Sequence, residues 1–261
     1  MAGSSKAWPY VVRLNPAIVL AQEAVPPEVG ALDSLSTWPD RSDPAEWSTW
    51  GRPRWRRCSA IGFRAGTAEP VMAVEIARAA SGDVAISQPG SFAAVTTRLH
   101  DGTPLLAVSL YGLWQKVGSR LIESESALHR SISDLTPLLI RARGKGVLIA
   151  GDLNLYLGHD DFWAAKYATV FDRLRAYGLQ LVGPARGEED GPLPGCRCGS
   201  PATCRHVQTI HYPGHESRPA TQTDFVLATP DIVGRVARCT TIETGETRAI
   251  SDHNPVVTTL R

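Results

Sequence analysis

The amino-acid sequence predicts a mixed α/β fold, arranged as two layers or as a sandwich. Several short apolar segments have the length and composition of buried strands, and two longer segments repeat their apolar residues at helical spacing. Some strand candidates adjoin one another through turns, whereas others are separated by the helices. We therefore expect one domain that spans residues 1–261, because an α/β chain of this length commonly folds as a single unit.

The predicted elements follow one another along the chain with clear ends. The strand candidates are AIVLAQE, SAIGFR, FAAVTTRL, LLAVSLYG, GVLIAG, LQLVG, TDFVLAT, RCTTIE and NPVVTTL. Between FAAVTTRL and LLAVSLYG lies HDGTP, whose Asp-Gly pair predicts a β-hairpin. The helix candidates are KAWPYVVRLN, LHRSISDLTPLLIRARG and DDFWAAKYATVFDRLRAYG, and Gly144 and Gly178 end the last two. Irregular structure is expected for residues 26–57, rich in Pro, Trp and Arg, and for residues 183–220, rich in Gly, Pro and Cys.

The composition excludes several classes of protein. Of the 261 residues, 43% are hydrophobic and 20% are charged, which is typical of a globular chain rather than a disordered or fibrous one. The formal net charge of +1 excludes a polybasic protein, so a contact with nucleic acid would need a local basic patch. MAGSSKAWPY lacks the apolar stretch of a secretory signal, and no run reaches membrane-spanning length. We therefore expect a cytoplasmic protein that does not enter a membrane.

Polar side chains stand at the ends of four predicted strands, where apolar packing does not need them. They are Gln22 and Glu23 after AIVLA, Asp152 and Asn154 after GVLIAG, Asp224 before FVLAT, and Ser251, Asp252 and His253 before NPVVTTL. Asp152 and Asn154 are two positions apart, so on a strand they point to the same side. Each group alone is also explained by a turn, an edge carboxylate or a surface histidine. Together they indicate a site at one end of the strands.

The order of these motifs resembles that of a known superfamily. QE, GDLN, a later Asp at the head of an apolar strand and SDHNP are similar to the motifs of the endonuclease/exonuclease/phosphatase superfamily, which includes DNase I, apurinic/apyrimidinic endonucleases, sphingomyelinases and inositol polyphosphate phosphatases. GDLN resembles the apurinic/apyrimidinic endonucleases most. The resemblance covers roughly residues 6–260 and implies a four-layer α/β sandwich, with two mixed sheets face to face and helices outside. It places the active site at one end of the sheets.

The resemblance also implies a metal site and an attacking water. Glu23 would be the principal ligand of Mg²⁺ or Mn²⁺, and Asp252 would add to the metal shell. Asp152 would orient or deprotonate the water that attacks a phosphodiester. Asn154 would position that water and the phosphate.

Three further residues have implied roles around the phosphate. His253 would donate a hydrogen bond to a non-bridging phosphate oxygen in the transition state. Asp224 would accept from the other ring nitrogen, which fixes the tautomer and favours the charged ring. Tyr111 is either a phosphate contact, as the resemblance implies, or a core tyrosine at the end of a strand.

One feature of the superfamily is not found near the N-terminus. Its members begin with a strand that ends in a metal-binding Asn and precedes the helix before the QE strand. Here only MAGSS precedes KAWPYVVRLN, and Asn15 lies in the loop after that helix. We expect either that the chain begins upstream or that an open edge beside AIVLAQE is covered by another segment or by a second copy of the protein. Without that Asn we expect weak metal binding, with Mn²⁺ supporting activity better than Mg²⁺.

The stretch 183–220 contains a compact set of soft metal ligands. Cys196, Cys198, Cys204 and His206 lie in CRCGSPATCRH and can form a tetrahedral Cys₃His zinc site. Free thiols in a polar loop are the alternative. Because the superfamily at large does not require such a site, a zinc ion here would stabilise this loop rather than form the catalytic centre.

The segment WSTWGRPRWRR, at positions 47–57, interleaves aromatic and basic residues. This composition suits stacking on bases and pairing with phosphates, which favours nucleic acid as the partner. The residues predicted to bind the substrate are Trp50, Arg54, Trp55, Arg56 and Arg57. The alternative is a solvated loop whose tryptophans pack inward.

The sequence therefore predicts a divalent-metal-dependent phosphodiesterase that hydrolyses nucleic acid as an endonuclease or an exonuclease. One alternative is a phosphoesterase that acts on a lipid headgroup or a small phosphorylated metabolite. A second alternative is a binding module that keeps the fold without turnover.

Overall fold

A computed structural model describes residues 6–28, 35–39, 58–81, 83–117, 120–122, 124–157, 161–196, 198, 203–212 and 221–261. Its strands are β1 (Ile18–Ala24), β2 (Ser36–Trp38), β3 (Cys58–Phe63), β4 (Ala68–Pro70), β5 (Ala73–Glu75), β6 (Val84–Ile86), β7 (Phe92–Arg98), β8 (Pro104–Leu110), β9 (Gln115–Val117), β10 (Arg120–Ile122), β11 (Gly146–Leu157), β12 (Gln180–Gly183), β13 (Gln222–Ala228), β14 (Val236–Thr241) and β15 (Val256–Leu260). Its helices are α1 (Ala7–Arg13), α2 (Ser124–Arg141), α3 (Asp161–Ala176), α4 (Pro230–Val233) and α5 (Gly245–Ile250). Every predicted strand and helix is found, and β11 extends beyond its predicted end through GDLNLYL. The prediction that residues 26–57 are irregular is wrong at β2, which pairs with β3.

The largest sheet has six strands in the order β12-β13-β11-β8-β7-β4. β11 and β8 are parallel, and the other neighbours in this sheet are antiparallel. Parallel strands need a long connection, and α2 lies in the connection between β8 and β11. The predicted Asp-Gly turn joins β7 to β8 as a hairpin, with Gly102 at a φ of 84°. The sheet is therefore mixed, as the sequence predicts.

A second sheet, in the order β1-β3-β2, packs face to face on the large sheet. The apolar cluster between the two sheets is built from Trp38, Ile61 and Phe63 on the small sheet and Ala93, Val95 and Ala107 on the large sheet. Their side chains are almost completely buried. This interface forms the middle of the molecule, and it brings β1 into contact with β11.

Helices cover the outer faces of both sheets. On the small sheet, the fully buried Trp8 of α1 packs against β1 and β3, and its Nε1 donates to the carbonyl oxygen of Val25 at 2.9 Å. On the large sheet, α2 buries Leu128, Ile132 and Leu135, which recur at helical spacing, and α3 packs beside it. Helix, sheet, sheet and helix form four layers, which confirms the predicted fold class.

The strand β1 lies at an edge of the small sheet. Within the described ranges, β3 is its one strand neighbour. β14 and β15 pair with each other as a separate two-stranded sheet, as do β5 with β6 and β9 with β10. In the described part of the chain, no second strand pairs with β1 along its other edge.

No helix in the described ranges combines the length and the apolar composition needed to cross a membrane.

Candidate active site

Two acidic side chains are brought together by the pairing of β11 with β13. Asp152 lies directly opposite Asp224 in this antiparallel pair. Directly opposed residues point to the same face of a sheet, so both carboxylates lie on one side. The two residues are only 6% and 8% exposed. The register of the strands therefore creates a buried pair of carboxylates.

His253 is the third member of this group. An isolated β-bridge pairs it with Ile210, and a second bridge pairs Ile210 with Thr221, next to β13. Nδ1 of His253 lies 2.9 Å from Oδ2 of Asp224, and Nε2 lies 3.8 Å from Oδ2 of Asp152. The imidazole is thus held beside both carboxylates, with 17% of its side chain exposed.

Asn154 holds the carboxylate of Asp152 through two hydrogen bonds. Its backbone N–H donates to Oδ1 at 2.9 Å, and its side-chain Nδ2 donates to Oδ2 at 3.1 Å. Nδ2 also donates to the carbonyl oxygen of Gly112 at 2.9 Å. Asn154 has a φ of 51°, a left-handed conformation that Asn adopts more readily than most residues. Asparagine therefore suits this position through both its backbone and its side chain.

Burial and neighbouring charges act differently on the pKa of each group. Burial raises the pKa of Asp152 well above its ordinary value, although the positive charge of His253 lowers it, and the negative charges of Asp224 and Glu23 raise it further. Burial also acts to raise the pKa of Asp224, but the positive charge of His253 and the hydrogen bonds that the carboxylate accepts bring this pKa below its ordinary value. Burial lowers the pKa of His253, and the two Asp carboxylates overcome this effect and raise it to about 9. Asp224 is therefore ionised beside a charged imidazole.

Two glycines allow the strands that carry these residues to approach closely. A Cβ atom on Gly151 would lie 1.9 Å from the carbonyl oxygen of Leu110. A Cβ atom on Gly112 would lie 2.0 Å from the carbonyl oxygen of Leu153. No side chain larger than hydrogen fits at either distance. Gly151, the first residue of GDLN, is therefore required by the close packing of β8 against β11 rather than by the chemistry of the site.

Glu23 reaches the same region from the small sheet. It lies where the β1 register shifts between Ala21 and Ala24, and it has a φ of 48°. The phenol of Tyr111 donates to Oε1 of Glu23 at 2.5 Å. Burial, followed by the charges of Glu23 and Asp152, strongly raises the pKa of Tyr111, so the phenol stays protonated. Tyr111 is thus a partner of the predicted metal ligand, and its contact with phosphate stays a prediction.

The carboxylates offer oxygen ligands for a divalent cation. Oδ1 of Asp252 is buried and has no hydrogen-bond partner in the described part of the chain. A buried carboxylate oxygen needs a partner, which a cation can supply. Asp152, Asp224 and His253 offer ligand atoms within 4.8 Å of one another, and neither Glu23 nor Asp252 belongs to this group. The predicted ligands Glu23 and Asp252 therefore lie outside this compact group, and a cation held by them would need waters to complete its shell.

Hydroxyl groups that sequence reasoning missed hold the site together. Oγ1 of Thr209 accepts from the backbone N–H groups of Thr223 at 2.9 Å and Asp224 at 3.2 Å. Thr209 lies in the irregular Cys-rich stretch, where no pattern marks it. Oγ of Ser109 accepts from Nε2 of Gln22 at 2.8 Å and donates to a carbonyl oxygen of β1 at 2.8 Å. A serine within the apolar run LLAVSLYG was a usable signal for this contact.

The other predicted site residues either form a cluster of cysteines and a histidine or lie outside the described residues. Ligand atoms within 4.8 Å of one another are offered by Cys196, Cys198, Cys204 and His206. The predicted substrate contacts Trp50, Arg54, Trp55, Arg56 and Arg57 lie outside the described residues. Their role stays a prediction.

Comparison with known proteins relates the chain to solved structures. No protein-family model matches the sequence, and no curated protein matches it significantly. A 3′ phosphatase from Neisseria bound to a product DNA hairpin is 13% identical, with a TM-score of 0.58 and coverage of 99% of this chain and 97% of that one. The endonuclease domain of TRAS1, a telomere-specific non-LTR retrotransposon, is 14% identical, with a TM-score of 0.56 and coverage of 98% and 92%. A mannosyl-6-phosphatase from Bacteroides thetaiotaomicron is 16% identical, with a TM-score of 0.54 and coverage of 98% and 91%. At these identities the similarity shows a shared fold.

Proposed function

We propose that this chain, which has the DNase I-like fold of the endonuclease/exonuclease/phosphatase proteins, is a divalent-metal-dependent phosphodiesterase that hydrolyses nucleic acid. The observation that carries the proposal is the alignment of Asp224, His253 and Asp152. Asp224 holds one nitrogen of His253 at 2.9 Å, and the other nitrogen lies 3.8 Å from the carboxylate of Asp152. A hydrogen-bond donor and a proton acceptor therefore stand side by side at the end of the large sheet.

His253 acts as the donor to the phosphate. The hydrogen bond with Asp224 fixes the ring. Although burial lowers the pKa of His253, the Asp carboxylates raise it to about 9, so the charged ring predominates at neutral pH. The separation of 3.8 Å from Asp152 exceeds hydrogen-bond distance, which leaves Nε2–H able to donate to a ligand. A non-bridging phosphate oxygen gains negative charge in the transition state and accepts this hydrogen bond.

Asp152 acts on the attacking water. Both of its oxygens accept hydrogen bonds from Asn154, which fixes the direction of the carboxylate. Burial raises the pKa of Asp152, which makes it a stronger base than an exposed aspartate. As the water oxygen bonds to phosphorus, Asp152 accepts the water proton, and the bond from phosphorus to the leaving alcohol oxygen breaks.

Glu23 and Asp252 are the residues that would hold the divalent cation. Glu23 is positioned by the phenol of Tyr111, and Oδ1 of Asp252 is a buried oxygen without a partner in the described ranges. When bound, Mg²⁺ or Mn²⁺ would polarise the phosphate and stabilise the charge on the leaving oxygen. Carboxylate oxygens are the ligands that these hard cations prefer.

Nucleic acid is the proposed substrate for two reasons. The structures with this fold include an endonuclease domain and a phosphatase bound to DNA. The segment 47–57 carries Trp and Arg side chains suited to bases and phosphates. A small phosphorylated metabolite is the second candidate, because a mannosyl-6-phosphatase shares the fold.

A substrate panel tests the proposal. The protein is assayed with Mg²⁺ or Mn²⁺ on single-stranded, double-stranded and abasic DNA, on RNA, on a bis-aryl phosphodiester and on a sugar phosphate. We expect cleavage of a nucleic acid that EDTA abolishes, with Mn²⁺ more effective than Mg²⁺. Hydrolysis of the sugar phosphate alone would select the second candidate. Inactivity on every substrate with both cations would contradict an enzymatic function.

Two substitutions test the assigned roles. Asp152→Asn and His253→Ala should each reduce turnover by about two orders of magnitude or more, because each removes a group that acts in the transition state. Thermal unfolding should show that both variants fold. Asp172→Asn on α3 and His129→Ala on α2 are matched controls on the outer helices, and they should keep full turnover. Near-normal turnover of either site variant would remove that residue from the mechanism.

A further inference from the structure

We propose that Cys196, Cys198, Cys204 and His206, here termed the cysteine cluster, bind one Zn²⁺ ion, and that this ion anchors residues 203–212 against β13. The four ligand atoms lie within 4.8 Å of one another. Sγ of Cys196 lies 3.3 Å from Nδ1 of His206. A tetrahedral zinc ion with bonds of about 2.0 to 2.3 Å spaces its ligands about 3.5 to 3.8 Å apart. The cluster is therefore already close to the size of a zinc site.

The donor chemistry of the cluster differs from that of the active site. Thiolates and imidazole are soft or borderline ligands that favour Zn²⁺, whereas the carboxylates of the active site favour hard cations. Three adjacent thiols repel one another when they ionise, unless a cation lies between them. Three sulfurs and one nitrogen complete a tetrahedral shell, so no position is left for a substrate. The cluster therefore suits a structural ion.

The segment that carries the cluster has little regular secondary structure. Between the end of β12 and the start of β13, the described residues form no strand apart from the bridges of Ile210. A few side chains of this segment are buried, among them Leu193, Cys204 and Val207. Among the described residues its two arms are joined at Arg186 and Arg205, where the N–H of Arg186 donates to the carbonyl oxygen of Arg205 at 2.9 Å and Nε of Arg205 donates to the carbonyl oxygen of Arg186 at 2.7 Å. A metal ion would supply the cross-link that so small an apolar core does not.

The cluster continues directly into the residues that support the active site. His206 is followed by Val207, whose N–H donates to Oε1 of Gln222 at 3.1 Å. Two residues later, Thr209 accepts from the backbone of β13 at Asp224, at 3.2 Å. Ile210 then pairs with His253. An ion that restrains His206 would therefore also restrain residues 207–210, which contact Asp224 and His253. Zinc binding itself does not depend on the proposed reaction, and only this positioning role rests on it.

Metal content is the first test. The full chain is purified under reducing conditions in excess Mg²⁺, and its zinc is measured by elemental analysis. We expect about one zinc per chain, and a loss of most of it in Cys198→Ser and His206→Ala. Cys239→Ser is the matched control, because Cys239 lies on β14 outside the cluster, and it should keep its zinc. Equal zinc in all four proteins would place the ion elsewhere and overturn the site.

Cobalt substitution keeps the test independent of how the variants fold. Co²⁺ added to the zinc-free wild-type protein should give the intense visible bands of tetrahedral thiolate coordination, and Zn²⁺ should abolish them. Wild-type protein that contains no zinc and gives no such bands with Co²⁺ would overturn the proposal in favour of free thiols.

Hydrogen exchange tests the anchoring role. A zinc-selective chelator in excess Mg²⁺ should increase amide exchange in residues 203–212 and at the start of β13, while α2 stays protected. Unchanged exchange in a protein shown to lose its zinc would overturn the anchoring role. Asp152→Asn should lose turnover but keep its zinc and its exchange pattern. A loss of the proposed reaction can therefore be distinguished from a loss of the zinc site.

Discussion

Asp152 and Asp224 face each other across one strand pair, but their hydrogen bonds differ. Asp224 accepts from His253 and from the hydroxyl of Thr223, each at 2.9 Å. Asp152 accepts from Asn154 and lies beyond hydrogen-bond distance of His253, at 3.8 Å. Asp224 is therefore hydrogen-bonded to the imidazole, whereas Asp152 makes no hydrogen bond to it.

The rate of the proposed reaction should have a bell-shaped pH dependence. Asp152 must be ionised to accept a proton, so kcat/KM rises as the pH passes the pKa that burial has raised. His253 must be protonated to donate, so kcat/KM falls as the pH passes about 9, the pKa that the carboxylates raise against the effect of burial. Asp224→Asn removes the largest of the raising charges. We therefore expect its falling limb to move to lower pH by about one unit or more.

The comparison uses a fixed saturating concentration of Mn²⁺ and the bis-aryl phosphodiester. Asp172→Asn, which removes a carboxylate on α3 that pairs with Arg175, should leave both limbs in place. If the falling limb of Asp224→Asn coincides with that of the wild type, His253 is not the titrating donor.

At the scale of the elements, apolar periodicity predicted the long strands and the three longest helices, but it missed short strands such as β2 and β4 to β6, and it does not show how strands pair. The sequence assigned Asp152 and Asp224 to two strands, although β11 continues past Asp152 to Leu157. That they face each other depends on the register of β11 and β13, which is set by the pairing of the complete strands. The role of Thr209 could not be predicted from sequence, because Thr209 lies in an irregular stretch and contacts Asp224 only through tertiary packing.

The close approach of β8 and β11 gives a prediction at the same scale. Gly151→Ala would place its Cβ 1.9 Å from the carbonyl oxygen of Leu110 and 2.9 Å from Nε2 of Gln22. The strands must separate to accept it, so we expect a loss of about 2 to 3 kcal/mol in the free energy of unfolding, measured by urea denaturation. Turnover should also fall, because Asp152 is the next residue.

Gly245→Ala is the matched control for this substitution. Gly245 lies in α5, and a Cβ there would meet nothing within 4 Å. Alanine is the better helix former, so the variant should be as stable as the wild type or more stable by up to about 1 kcal/mol. Equal stability of Gly151→Ala and the wild type would contradict the close approach.

At the scale of the whole molecule, the residues of the candidate active site come together only when the two sheets are packed against each other. Glu23 comes from the small sheet, whereas Asp152 and Asp224 come from the large sheet. Ser109 and Gln22 join the sheets beside the site through a buried hydrogen bond of 2.8 Å. The four-layer arrangement therefore acts as the support that sets the distance between the proposed cation ligand and the proposed base.

Binding of nucleic acid can also be tested at this scale, because the net charge of +1 offers no general attraction to a polyanion. Any strong salt dependence must then come from a local group, for which Arg54, Arg56 and Arg57 are the predicted residues. Replacing all three by Ala should weaken DNA binding at least tenfold and reduce the slope of log Kd against log salt by about 2, while hydrolysis of the bis-aryl phosphodiester stays unchanged.

The control for this variant replaces the same number of arginines at the end of the large sheet away from Asp152. Arg141, Arg143 and Arg175 lie at or just after the C-terminal ends of α2 and α3. The first residue of β11 follows the end of α2, and Asp152 lies six residues further along the strand, which is about 20 Å. Because the change in net charge is the same, alanine at these positions should leave the affinity and the salt slope nearly as in the wild type. Equal losses in both triple variants would show that net charge governs binding, and no loss in either would favour a small phosphorylated substrate.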